Sequence, residues 1–288
     1  CLAFVGFLID FNTQTLQESM WIILFTILGY LLFLGVGRLL YIKKPHDTAS
    51  LYSILLTFGQ ITLFGLPLVK AIYQENGILV GNMMSIPFRV FIYIYCFLTI
   101  SGIKFEKGTI SSTLKNVFCN PIIIAMLCSI FLWVLQPIMP KVTINEVKYS
   151  IFRFDKTIPW IYKTLNTIAN LTMPLSMLLV GITLGEADIK SAFSNKTAWV
   201  ISVFRSIISP LLLMGIIDVF VLLFKLSLTK EVIASIIICF AAPVSAVVNT
   251  FCIHYNREPT LSSNSCFLST LLYIVFIPFI IVLVELIF

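Results

Sequence analysis

The polar side chains able to do chemistry in this chain are few, and they stand inside long apolar runs. Residues 57–77 read TFGQITLFGLPLVKAIYQENG, with Gln60, Gly65 and Pro67 in the middle of a greasy stretch. Arg89 lies near the centre of the next apolar run, and Pro243 and Asn249 share a later one. Thr172 opens the motif TMPLS. Amides donate and accept hydrogen bonds, and a guanidinium can grip a carboxylate with two parallel bonds. Glycine and proline free backbone groups from a helix. This set suits binding an anion. The plain alternative is that small and polar residues pack helices together.

Covalent catalysis would need ionisable or nucleophilic groups converging at one depth. The two histidines, His46 and His254, fall at the ends of apolar runs far apart in sequence, which gives a histidine metal site little support. The seven cysteines form no C-x-x-C pair and lie mostly within apolar runs, as small buried hydrophobes do. No metal and no cofactor is called for.

The elements that carry these residues must be membrane helices. The chain has 288 residues, of which 59% are hydrophobic and 11% charged. Soluble domains carry about 25% charged residues. The net charge of +6 is therefore read through loop asymmetry. No basic run with interleaved aromatics suggests nucleic acid.

Residues 1–9 are apolar but too short to cross a bilayer, which takes about 20 residues. They read as the second half of a helix, so the chain is expected to be truncated at its N-terminus. A polar loop at 10–18 follows, then spans at 20–41, 51–73, 78–100, 121–136, 165–184, 198–224, 232–254 and 266–288. That is eight complete spans and one partial one. Residues 141–163 form the one long polar connection. The basic loops after residues 40 and 100 are expected to be cytoplasmic, and strict alternation would put the equally basic 141–163 segment outside. Arg205 is expected to snorkel to the cytoplasmic end of its span, Lys70 to an end of its own, and Asp218 to lie near the outer interface.

Two spans are predicted to be interrupted: 51–73 at Gly65-Leu66-Pro67, and 232–254 at Pro243. In hydrocarbon a freed backbone group is tolerated only where it is buried in protein or lines a wet cavity. Tyr73-Gln74-Glu75-Asn76-Gly77 ends the first and Tyr255-Asn256-Arg257-Glu258-Pro259 the second. Aligning those marks sets Pro67 opposite Asn249, and Gln60 and Ile61 opposite Ala242 and Pro243. An odd number of spans lies between the marks, so the two halves would sit in opposite orientations. Paired discontinuous helices in inverted repeats point to a binding site near the membrane midplane.

FGQITLFGLPL with KAIYQENG, NPIIIAML at 120–127, ANLTMPLSMLLVGITLG at 169–185 and CFAAPVSAVVNTFCIHYNREP at 239–259 together resemble the auxin efflux carrier family, in the family's order and over almost the whole chain. The resemblance implies an all-α integral membrane fold of two inverted five-helix repeats, shared with bile-acid and sodium–proton carriers, with two crossed broken helices at the substrate site. The first helix would be absent here. The repeats would divide as 1–115, with broken helix 51–73, and 116–288, with broken helix 232–254. Where the family usually has Asn, this chain has Gln60, one methylene longer.

The function expected is a secondary transporter of the compact microbial type, moving small organic anions such as malate, malonate or auxin-like carboxylates. It would be a multi-pass protein of the plasma membrane. Gln60, Gly65, Pro67, Arg89, Thr172, Pro243 and Asn249 are the expected substrate-binding residues. Coupling to protons or sodium, and a homodimer, stand as open partners. A channel-like anion uniporter is the alternative, with an intramembrane enzyme behind it.

Overall fold

The computed structural model describes residues 12–102, 121–144, 147–185, 188–226 and 228–287. The half-span at the start, the basic residues at 104, 107 and 115, and Cys119 lie outside the described residues.

Helix α1, Thr13–Leu40, begins within the stretch read as a loop. The Asn12 side chain accepts from Gln14 N at 3.0 Å and caps it. Gln14 also reaches Glu18 one turn on, 3.3 Å away, so the polar residues extend the span. After Pro45, α2 runs His46–Thr57, then the chain leaves helical geometry over Phe58, Gly59 and Gln60. A π-helical turn, Ile61–Gly65, leads into α3, Leu66–Val90. Gln74 has a left-handed backbone, φ 50°, and divides α3 into a half-helix and the start of a full span. That span continues through a second π turn, Phe91–Cys96, and α4, Phe97–Ser101.

Beyond α5, Pro121–Leu135, the expected polar connection is folded. It forms a hairpin of β1, Lys141–Ile144, and β2, Val147–Ser150, in which Val142 faces Tyr149. A short α6, Phe154–Thr157, follows, and Arg153 grips Asp155 through two bonds of 2.7 Å beside it. The single span expected at 165–184 is two helices, α7 Pro159–Asn170 and α8 Thr172–Gly185. Then come α9 Ile189–Ser194, α10 Lys196–Val203, a third π turn Phe204–Ile208 and α11 Ser209–Phe224. The second interrupted helix is α12 Lys230–Ala241 and α13 Ala246–His254, and α14 Pro259–Ile287 closes the order.

Among the described residues, four stretches are apolar and long enough to cross a membrane unbroken: Thr13–Leu40, Asn76–Ser101, Lys196–Phe224 and Pro259–Ile287. They surround α2, the 61–65 turn and α12. Every residue of α12 from Val232 to Ala241 is buried, which marks it as the central helix. Most of the described side chains of α8 are exposed, among them Leu175, Met177 and Leu178. The protein is an almost wholly α-helical, multi-pass membrane protein.

Proline placement explains where the helices break. Pro174 sits in the first turn of α8, whereas Pro67 and Pro210 follow directly on π turns inside the continuous helical stretches Ile61–Gln74 and Lys196–Phe224. The interruption therefore lies upstream of Pro67, at residues 58–60, and not at Gly65-Leu66-Pro67 as the sequence suggested. A proline ring crowds the carbonyl four residues before it. For Pro67 and Pro210 those are Leu63 and Ser206, both inside π turns, whose wider backbone makes room. Pro243 differs, because it stands in the break itself, between Ala241 and Ala246.

Candidate functional site: the crossing of two interrupted helices

The two breaks meet. Gly59 and Val244 pair as an isolated antiparallel bridge. Gln60 N donates to Pro243 O at 2.7 Å, and Ser245 N donates to Phe58 O at 3.0 Å. Exposed backbone at this depth would be costly, so each freed group needs a partner. The side of α14 supplies two. Val244 N donates to Ser269 Oγ at 3.0 Å, and the Cys266 thiol points at Val244 O, 3.6 Å away. Gln60 O accepts from Phe64 N at 3.1 Å and starts the 61–65 turn.

Two more carbonyls are held by Arg205, which is fully buried. Its Nε donates to Ala242 O at 2.9 Å and its Nη1 to Thr57 O at 2.6 Å. These carbonyls belong to the C-terminal ends of α12 and α2. The guanidinium also sits over the Phe240 ring, 5.8 Å from its centroid. The expectation that Arg205 snorkels is thus overturned. It is the tenth residue of a 29-residue span, too deep to reach the end, and the crossing offers it carbonyls instead.

Gly59 is set by that arginine. A Cβ on Gly59 would overlap Arg205 Nη2 and come within 2.7 Å of Ala242 O. Aromatic rings seal the crossing on the α1 side. Tyr30 packs on Phe58 at 5.0 Å and on Phe240 at 5.3 Å, and Phe33 lies 6.0 Å from Phe240. On the other flank Ser202 and Ser206 donate to the carbonyls of Ser265 and Ser269, each at 3.1 Å, and zip the Arg205 span to α14.

Of the residues singled out from sequence, the crossing brings Gln60 and Pro243 together directly. Gln60 is 7% exposed and its side-chain amide bonds no described residue. Gly65 and Pro67 lie beyond the break, with Gly65 in close approach to Cys239 of α12, which is a packing role. Asn249 is in the second turn of α13, and its Oδ1 accepts from Ser263 Oγ at 3.2 Å. Thr172 starts α8, which packs on the 61–65 turn, and its carbonyl accepts from Ser176 at 2.6 Å. Lys70 does not snorkel free; its Nζ donates to Asn170 at 2.7 Å. Arg89 is half-buried in mid-span, and its Nε is buried without a partner. No described contact joins it to the crossing.

Sequence reading missed Gly59, Arg205, Ser245 and Ser269. For Arg205 the signal was present, since a charge inside an apolar span costs about 2.5–3.5 kcal/mol and marks function by default. The two interrupted helices differ in the distance from break to end mark. Fifteen residues separate Gly59 from the left-handed Gln74, but twelve separate Val244 from the left-handed Asn256.

A chain that buries two crossed helix breaks within apolar spans, with polar side chains gathered there, is built like a membrane transporter. A family model described as membrane transport protein matches residues 1–281, so this chain belongs to that family, in agreement with its resemblance to the auxin efflux carriers. No curated protein matches it.

Proposed function

We propose that the chain is a secondary transporter that carries small organic anions, malate, malonate or auxin-like carboxylates among them, across the plasma membrane. The observation that carries this reading is the crossing, where α2 and α12 end and the 61–65 turn and α13 begin within one bundle. Helix N-termini carry about half a positive charge each, so the two restarting segments favour an anion beside them. In this reading the Gln60 amide, with no protein partner, and the Asn249 amide hydrogen-bond the carboxylate. Arg89 adds a guanidinium on the path, and Pro243 and Thr172 shape the surroundings.

The proposal divides the chain into inverted repeats, 1–115 and 116–288. Spans within 20–100 and 198–288 form the moving bundle that holds both breaks, and the spans between form the scaffold. The continuous buried core running through α1, α2, α12 and α14 supports that division. Transport needs no covalent step, only a site whose occupancy shifts the balance between outward- and inward-open states.

The test is uptake of labelled malate, benzoate and indole-3-acetate into proteoliposomes, with and without an imposed pH gradient. Saturable uptake of one of them, competed by the unlabelled acid, is expected. Flux that rises linearly with concentration would favour a channel, and no flux of any carboxylate would remove the anion reading.

A further inference from the structure

We propose that Arg205 is the resident cation of the crossing, and that its fixed charge stands where a dissociable sodium ion or proton would otherwise balance the paired helix ends. The argument begins with charge. Each helix C-terminus presents about half a negative charge, so α2 and α12, which both end on this guanidinium, together present about one. A single guanidinium balances that. The same role, held by unwound carbonyls and half-helix C-terminal ends, is where carriers with broken helices coordinate a coupling ion.

Three observations make the arginine a permanent occupant. Two of its donors are spent on Thr57 O and Ala242 O, one from each interrupted helix. Its side chain is fully buried, under Phe240 and against Gly59. Among the described residues no carboxylate pairs with it, so the carbonyls are its counter-charge. Arginine keeps its proton at any ordinary pH. The site therefore releases no proton, and both carbonyls are already taken by the guanidinium. Arg205 acts as a positioning residue: through Nε and Nη1 it ties the two C-terminal half-helix ends into one body, while its Nη2 is buried with no described partner. On the transporter reading above, the consequence is that uptake draws on no sodium gradient at the crossing.

The experiment uses the full chain, purified in detergent and reconstituted. Thermal unfolding of the wild type is compared in sodium chloride and in choline chloride at equal ionic strength, and sodium is titrated. Equal midpoints are expected, whereas a saturable, sodium-specific rise would overturn the proposal. Arg205→Ala is expected to unfold roughly 10 °C lower, since removing one partner of a buried charged contact is costly. Millimolar methylguanidinium, filling the vacated place, is expected to restore at least half of that loss, while choline and sodium restore none. A midpoint unchanged by Arg205→Ala, or one that methylguanidinium does not raise, would reduce Arg205 to packing and overturn the proposal. Should Arg205→Ala fail to purify, Arg205→Lys keeps the charge with fewer donors and is expected to fall between wild type and unfolded. In that event a sodium-dependent midpoint in the wild type still decides against the idea. Uptake with and without a sodium gradient forms a separate arm. Uptake that is absent under both conditions counts against the transport reading, and the unfolding data still judge Arg205.

Discussion

Gly59 lies directly against the guanidinium of Arg205, 146 positions along the chain, and the two fit only because glycine has no side chain. Gly59→Ala would drive a methyl group into the guanidinium and toward Ala242 O. Overpacking of this kind costs about 1–3 kcal/mol, and displacing the arginine from its two carbonyls adds to it. We expect Gly59→Ala to lower the unfolding midpoint markedly and to reduce the monodisperse fraction in detergent. A midpoint equal to wild type would mean that the contact is looser than it stands here.

Gln60 separates backbone from side-chain roles. Its backbone bonds to Pro243 and Phe64 survive in Gln60→Ala, while the unpartnered amide is lost. A hydrogen bond to a charged group is worth about 1.5–3 kcal/mol, which is roughly tenfold or more in KM. The expected outcome is a raised KM for the transported acid with the unfolding midpoint held within a degree or two. Gln60→Asn shortens the amide by one methylene and is expected to change which acid is preferred. Uptake kinetics identical to wild type in both variants would take Gln60 out of the site.

Arg89 carries a charge in mid-span with a buried, unpaired Nε. Arg89→Gln removes the charge and leaves a polar group of moderate length. Anion uptake is expected to be abolished while expression stays intact. Unchanged uptake would show that Arg89 is a structural charge off the path.

Pro67 tests where the helix is broken. It lies downstream of the 58–60 break, just after the π turn Ile61–Gly65, whose wider backbone takes up the ring without ending the helix. Pro67→Ala is expected to cost less than about 1 kcal/mol and to leave uptake near wild type. Loss of uptake with a normal midpoint would point instead to a role for the ring at the site.

The composition of the chain was enough to dictate a membrane bundle, because apolar runs of about 20 residues have few other stable settings. The hydrophobic pattern placed the long helices within a few residues, apart from α1 and α14, each of which begins seven residues earlier, α1 on polar residues that Asn12 caps. It also placed two interrupted helices, and Pro243 at the second interruption. Cys96, Cys239, Cys252 and Cys266 are buried, as small apolar residues would be, whereas Cys128 is exposed. What the pattern misjudged was local: the first break was set at Gly65-Leu66-Pro67, and it lies upstream, at residues 58–60.

Tertiary structure decided the rest. A helix end is marked weakly in sequence when its last carbonyl is satisfied from another part of the chain, and Thr57 and Ala242 are satisfied by an arginine on a third helix. No local propensity encodes that partnership, nor the pairing of Gly59 with Val244, because both exist only once the two breaks are pressed together. Sequence by itself determined that polar backbone would be exposed inside the bundle. Only the packed bundle decided which groups would meet it: Arg205, Ser269 and the opposite break, all brought within hydrogen-bond reach by helices that are remote in sequence and adjacent in space.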